Sequence, residues 1–122
     1  MRQERPKESE TEENLGILIR LDLSKNHIPK DFQVEDKKGL SLEEEIVLGE
    51  TKYRISLMRN DYNSPLGPPG QPNPKTNYLV FLTYEEEPRV FGDEGKRFES
   101  KSCETLNEAL NLYFALKKHL TH

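Results

Sequence analysis

A helical period appears only once in this sequence, near its C-terminal end, and that limits the folds open to the chain. From about Glu104 to Leu120, the residues Leu106, Ala109, Leu110, Leu112, Tyr113, Phe114, Leu116 and Leu120 gather on one flank, an arc of about 200° at the helical repeat. Thr105 and Glu108 have the spacing of a capping box, in which hydroxyl and carboxylate satisfy first-turn amides. Lys117, Lys118 and His119 suit the negative end of the helix dipole, and Lys117 can snorkel out of the apolar arc. No connection before this helix is both long and helical enough to carry a strand back in parallel, so the preceding strands must run antiparallel. The expected fold is α+β: an antiparallel sheet of four to six strands, built from hairpins or a meander, with one C-terminal α-helix packed on one face.

The strand signals fit that plan. In Leu15–Leu23 the odd positions are all aliphatic, which reads as a half-buried strand with Gly16, Arg20 and Asp22 on the other face. Phe32 and Val34 alternate with Gln33 and Glu35 in a short second strand. Glu43–Arg59 reads as a hairpin that turns at Gly49-Glu50, its return strand amphipathic through Tyr53, Ile55 and Leu57. Tyr78–Tyr84 is apolar on both faces, as an interior strand or one lying under the helix would be. Val90-Phe91 and Lys96–Ser100 flank Gly92-Asp93-Glu94-Gly95 as a second hairpin.

Two segments lie outside the pattern. Residues 1–14 contain 3 basic and 5 acidic side chains and no aliphatic or aromatic residue after the initiator methionine, so nothing offsets their ordering entropy. They read as a disordered acidic tail ahead of one domain over residues 15–122. Between Asn60 and Asn77 stand five prolines, Pro65, Pro68, Pro69, Pro72 and Pro74. Proline fixes φ and donates no hydrogen bond, so 60–77 reads as a long exposed loop.

Composition narrows the function classes. Hydrophobic and charged residues each make up 33% of the chain, so apolar positions must be concentrated in a few elements. No apolar run approaches the roughly 20 residues that span a bilayer, and the N-terminus is charged with no apolar segment behind it. One cysteine, Cys103, makes no intramolecular disulfide and no zinc site alone, which fits a reducing, cytoplasmic setting. A net charge of −4 argues against a protein that coats nucleic acid by bulk electrostatics. The acidity lies in the first half, whereas residues 51–122 carry 10 basic and 9 acidic side chains.

No motif specifies a reaction, and no cofactor or metal is expected. His119 and His122 sit at a chain end without a third ligand, and consecutive glutamates on a strand point to opposite faces. An enzyme would require the fold to bring Cys103 or a glutamate beside a histidine. Two binding readings remain. The first is a protein-binding or regulatory module using the sheet face, the loop or both, with Tyr62, Pro65, Leu66, Pro68 and Pro69 as contacts. The second is a single-stranded nucleic-acid binder using Lys52, Arg54, Arg89, Lys96 and Arg97, with Tyr53, Tyr62, Tyr84 and Phe98 for stacking. Self-association is a further option for the first reading, and a membrane partner for neither.

The run Phe98-Glu-Ser-Lys-Ser-Cys-Glu-Thr-Leu-Asn-Glu-Ala109, following a hairpin and entering a helix, resembles WGR domains, found in DNA-associated proteins. The resemblance covers the last third of the chain and implies a sheet with a helix. The defining Trp-Gly-Arg is absent because the chain has no tryptophan, so no function is carried across.

Overall fold

A computed structural model of the chain describes residues 16–87, 90–92 and 94–121. The acidic tail at 1–14 therefore lies outside the described residues, as does Arg89. The elements in order are α1 (Ile17–Arg20), β1 (Ser41–Leu48), β2 (Thr51–Asn63), β3 (Pro74–Glu85), β4 (Lys96–Cys103) and α2 (Leu106–Thr121). The strands form one antiparallel meander in the order β1-β2-β3-β4, with α2 across one face, as the single late helix requires.

Each turn follows from local chemistry. Leu48 pairs with Thr51 around Gly49-Glu50, and Gly49 takes φ 61°, a left-handed value that glycine adopts without a Cβ penalty. The β2–β3 hairpin runs further than the prolines suggest, because its pairing continues through Tyr62↔Lys75 to Asn63↔Pro74. Pro74 is the first residue of β3, where proline is tolerated, so the expected loop at 60–77 contracts to 64–73. The β3–β4 connection spans 86–95 and is closed by the Glu86 N–H donating to the Gly95 carbonyl at 2.8 Å. Val90-Phe91 is not a strand; β4 pairs directly with β3, from Tyr78↔Cys103 to Glu85↔Lys96.

Alternation then sorts the side chains. Ile55, Leu57, Val80 and Leu82 are fully buried beneath Leu112 and Leu116 of α2. The capping box forms as expected: Glu108 N–H donates to Thr105 Oγ1 at 3.1 Å, and Thr105 N–H donates to Glu108 Oε1 at 3.2 Å. At the other end Lys117 Nζ lies 3.1 Å from Glu44, which also accepts from the Tyr113 hydroxyl at 3.2 Å. Burial, reinforced by Glu44, pushes that phenol well above its ordinary range.

The N-terminal segment corrects the sequence reading. Of the expected strand Leu15–Leu23, the described residues 16–23 form none: Ile17–Arg20 is one helical turn, entered through Gly16 at φ 90°. Leu18 is buried while Ile19 is 67% exposed, the reverse of an odd-position strand face. Ile17, Leu18 and Leu21 pack on the core, a spacing that suits a helix turn as well as alternation suited a strand. The turn rests against β4, where the Leu18 N–H donates to Glu99 Oε1 at 2.9 Å. A side chain at Gly16 would meet that same carboxylate at 2.7 Å.

Phe32 and Val34 are likewise not a strand. Phe32 meets Phe114 edge-on at 4.8 Å, so this segment covers the helix instead of extending the sheet. Asn111 fastens the preceding turn, accepting from the His27 N–H and donating to the Lys25 carbonyl. The wide apolar arc of α2 is thereby explained. One side of the helix meets the sheet and the other meets residues 17–34, and Ala115, outside the apolar arc, is buried beside Leu21 and His27.

Candidate functional site

With a single long helix, only one face of the sheet is covered; among the described residues no element crosses the other. Strand alternation places Lys52, Arg54, Ser56, Met58, Asn60 and Tyr62 of β2 on that open face. Register then aligns Arg54 with Thr83 and Phe98, Ser56 with Phe81 and Ser100, and Met58 with Leu79 and Ser102. Phe81 and Phe98 form a tilted ring pair with centroids 5.8 Å apart. Phe98 is 63% exposed, so the pair presents aromatic surface to water. Met58 and Leu79 continue the apolar centre toward Tyr62.

Near Phe98 the face dips into a depression of about 410 Å³ lined by Lys52, Arg54, Lys96, Glu45 and Glu85 as well as the ring itself. Arg54 lies 3.8 Å from Glu43 and 3.7 Å from Glu45 across the β1–β2 pair. These contacts are exposed and long, so they contribute little to stability, on the order of 0–1 kcal/mol each. Lys96 stands 3.9 Å from Glu94. Neither Lys52 nor Lys75 has an ion-pair partner among the described residues. Asn60 Nδ2 donates to Asn77 Oδ1 at 3.0 Å, and Asn77 Nδ2 to Ser102 Oγ at 2.8 Å, forming a polar ladder across three strands.

The fold therefore gathers Lys52, Arg54 and Lys96 at one depression, whose lining Arg97 also joins while its guanidinium is turned away from theirs. That guanidinium points to the helix side, where its Nε donates to Glu86 Oε1 at 2.8 Å. Two of the four expected stacking aromatics also face away: Tyr53 and Tyr84 pair at 5.1 Å on the helix side, and the Tyr84 hydroxyl donates to Glu99 at 3.3 Å. Phe81, Met58, Leu79 and Lys75 belong to the open face and were not singled out from the sequence. The available signal was arithmetic, since one helix covers one face and half of an interior strand apolar on both faces must remain uncovered.

The proline loop forms a separate surface. The Ser64 N–H donates to the Asn73 carbonyl at 2.8 Å, closing the loop, and the Gln71 N–H donates to the Pro68 carbonyl at 3.2 Å. Gly67 lies so close to Asn73 that a Cβ there would stand 2.9 Å from the asparagine's own Cβ. On this braced loop Leu66 is 90% exposed, with Pro65, Pro68 and Pro69 exposed beside it.

A third cluster is structural. Arg59 donates to Asp61 and, at 3.0 Å, to Asp36, which also accepts from the Tyr78 hydroxyl at 2.7 Å. The Thr76 hydroxyl and Arg59 hold the Asp61 carboxyl below its ordinary range. Every group there has a partner.

Cys103 is buried, and burial, with Glu108 adding to it, pushes its thiol up. The nearby Lys101 charge, which lowers it, is outweighed. A thiol-specific reagent such as a disulfide dye should thus label the native chain at least ~10-fold more slowly than the urea-unfolded chain; equal rates would mean an accessible thiolate. Among the described residues no three His, Cys, Asp or Glu side chains are placed to hold a metal, and no helix is long and apolar enough to cross a membrane. No family model matches the chain, and no curated protein and no solved structure matches it either.

Proposed function

We propose that this chain is a non-catalytic protein-binding module that engages its partner through the apex of the β2–β3 loop. The observation that carries this reading is the braced loop holding Leu66 almost wholly in water. Isolated exposed leucines are common on protein surfaces, but this one sits among three exposed prolines on a segment closed by its own hydrogen bonds. Such a loop has already lost most of its conformational freedom, so an apolar groove that accepts Leu66 and its proline neighbours orders little on binding. Tyr62, at the adjoining strand end, adds an aromatic contact of the kind that dominates interface energetics.

The test uses a photo-crosslinking residue at position 66, expressed in the native host, with Leu66→Asp as the paired variant. The expected result is a discrete crosslinked partner, with Leu66→Asp weakening its binding roughly 30-fold, the loss of one hot spot of about 2 kcal/mol. The melting temperature should stay unchanged because Leu66 buries nothing in the fold. Recovery of only the uncrosslinked chain would end the reading.

A further inference from the structure

The open face of the sheet carries a second binding site, distinct from the loop apex. We infer that it binds single-stranded nucleic acid, with Phe98 and Phe81 as the stacking platform and Lys52, Lys96 and Lys75 as phosphate contacts. The face has the three properties such a ligand requires. It has an exposed aromatic pair for a base to stack on. It has lysines near both ends of the apolar strip: Lys52 and Lys75, neither in an ion pair among the described residues, and Lys96, whose one ion pair is the exposed 3.9 Å contact to Glu94. Between them it has short hydroxyl and amide side chains, Ser56, Ser100, Ser102, Asn60 and Asn77, which can meet base edges and sugar oxygens.

That polarity decides between the two classes of macromolecule. An amphipathic helix or a second sheet laid on this face would bury the Ser56 and Ser100 hydroxyls, and the donors and acceptors that the Asn60–Asn77–Ser102 ladder leaves over, against apolar atoms at a cost for each. Serine is also depleted at protein interfaces, whereas nucleotides offer a donor or acceptor at almost every position. The strip has the length for several nucleotides. Tyr62 lies eight residues along β2 from Arg54, in register with Phe98, which is about 26 Å at roughly 3.3 Å per residue. The acidic residues of the face are partly committed, because Glu43 and Glu45 both lean on Arg54. Arg54, flanked by two carboxylates where Lys96 has one, is left out of the phosphate contacts, leaving three lysines.

Fluorescence anisotropy of the full chain with a labelled oligothymidine of about 12 nucleotides, within the ~4–16 that one small fold covers, tests this. Three phosphate contacts on a single strand give a log–log salt slope of about −2, so affinity should fall roughly 20-fold between about 50 and 200 mM salt. Phe98→Ala should weaken binding by roughly 5- to 150-fold, the range for losing one stacked base. Lys52→Gln should flatten the slope by about 0.7. Leu66→Asp should bind the oligonucleotide like the parent chain, so failure of either proposal is visible separately. The inference is overturned by absence of binding at about 50 mM salt. It is equally overturned if Phe98→Ala binds unchanged, or if a duplex or a polyglutamate peptide competes as well as the single strand, since the face would then read charge alone.

Discussion

Leu112→Ala is expected to cost about 2–5 kcal/mol, a large share of the roughly 5–15 kcal/mol that holds a domain of this size together. Leu112 has no exposed surface and sits mid-helix, where α2 lies between the sheet and the N-terminal segment. Truncation removes the transfer free energy of three carbons. It also leaves a cavity that neither side can readily close, because β2 and β3 are hydrogen-bonded below and Phe32 packs on Phe114 above. A urea titration followed by circular dichroism should show a lower midpoint with unchanged slope. Asn107→Ala, on the exposed side of the same helix, should stay within about 0.5 kcal/mol. A Leu112→Ala loss below about 1 kcal/mol would mean that α2 does not lie in the core.

The second large effect separates two neighbouring aliphatics. Leu18→Ala should cost about 2–4 kcal/mol and Ile19→Ala less than about 0.5 kcal/mol, since one is 4% and the other 67% exposed. A strand over Leu15–Leu23 demands the opposite order, with the odd-numbered Ile19 as the costly position. Thermal melts of the two variants decide between a helical turn and a strand without further structural work. Glu99→Gln adds a check on the same contact: the Leu18 N–H keeps an acceptor but loses a charged one, so part of the Leu18→Ala loss should appear.

These two pairs mark where the sequence was informative. Leu112 and its neighbours follow a period that only a helix satisfies, and the hairpin at Gly49 follows from a residue type that few other turns require. The helix thus implies antiparallel order from the sequence alone. The aliphatic run at 15–23 is different, since Leu18 is apolar too, so period 2 and period 3.6 are satisfied by nearly the same letters. The deciding interaction is with Glu99, 81 residues away, which no local window contains. Phe32 was misassigned for the same reason, its partner being Phe114.

The candidate site was half legible. Lys52, Arg54, Lys96 and Phe98 stand together because β2, β3 and β4 pair in the register that brings them there. Arg97 adjoins them at the depression, but neighbours on a strand face opposite ways, so its guanidinium goes to Glu86 instead. Phe81 escaped notice because an apolar strand reads the same whether one side or both are covered. Only the sheet's neighbours reveal which rings reach water.

The clasp between the start of the fold and its end also has a temporal meaning. Leu18 waits for Glu99, and the His27 amide for Asn111, so this greasy turn, once out of the ribosome, has no home until α2 has been made. At about 5–20 residues per second, that interval lasts roughly 5–20 s. During it, Ile17–Leu23 travels on a nascent chain whose hairpins can already pair, and those seconds are when a chaperone or a wrong neighbour has its opening.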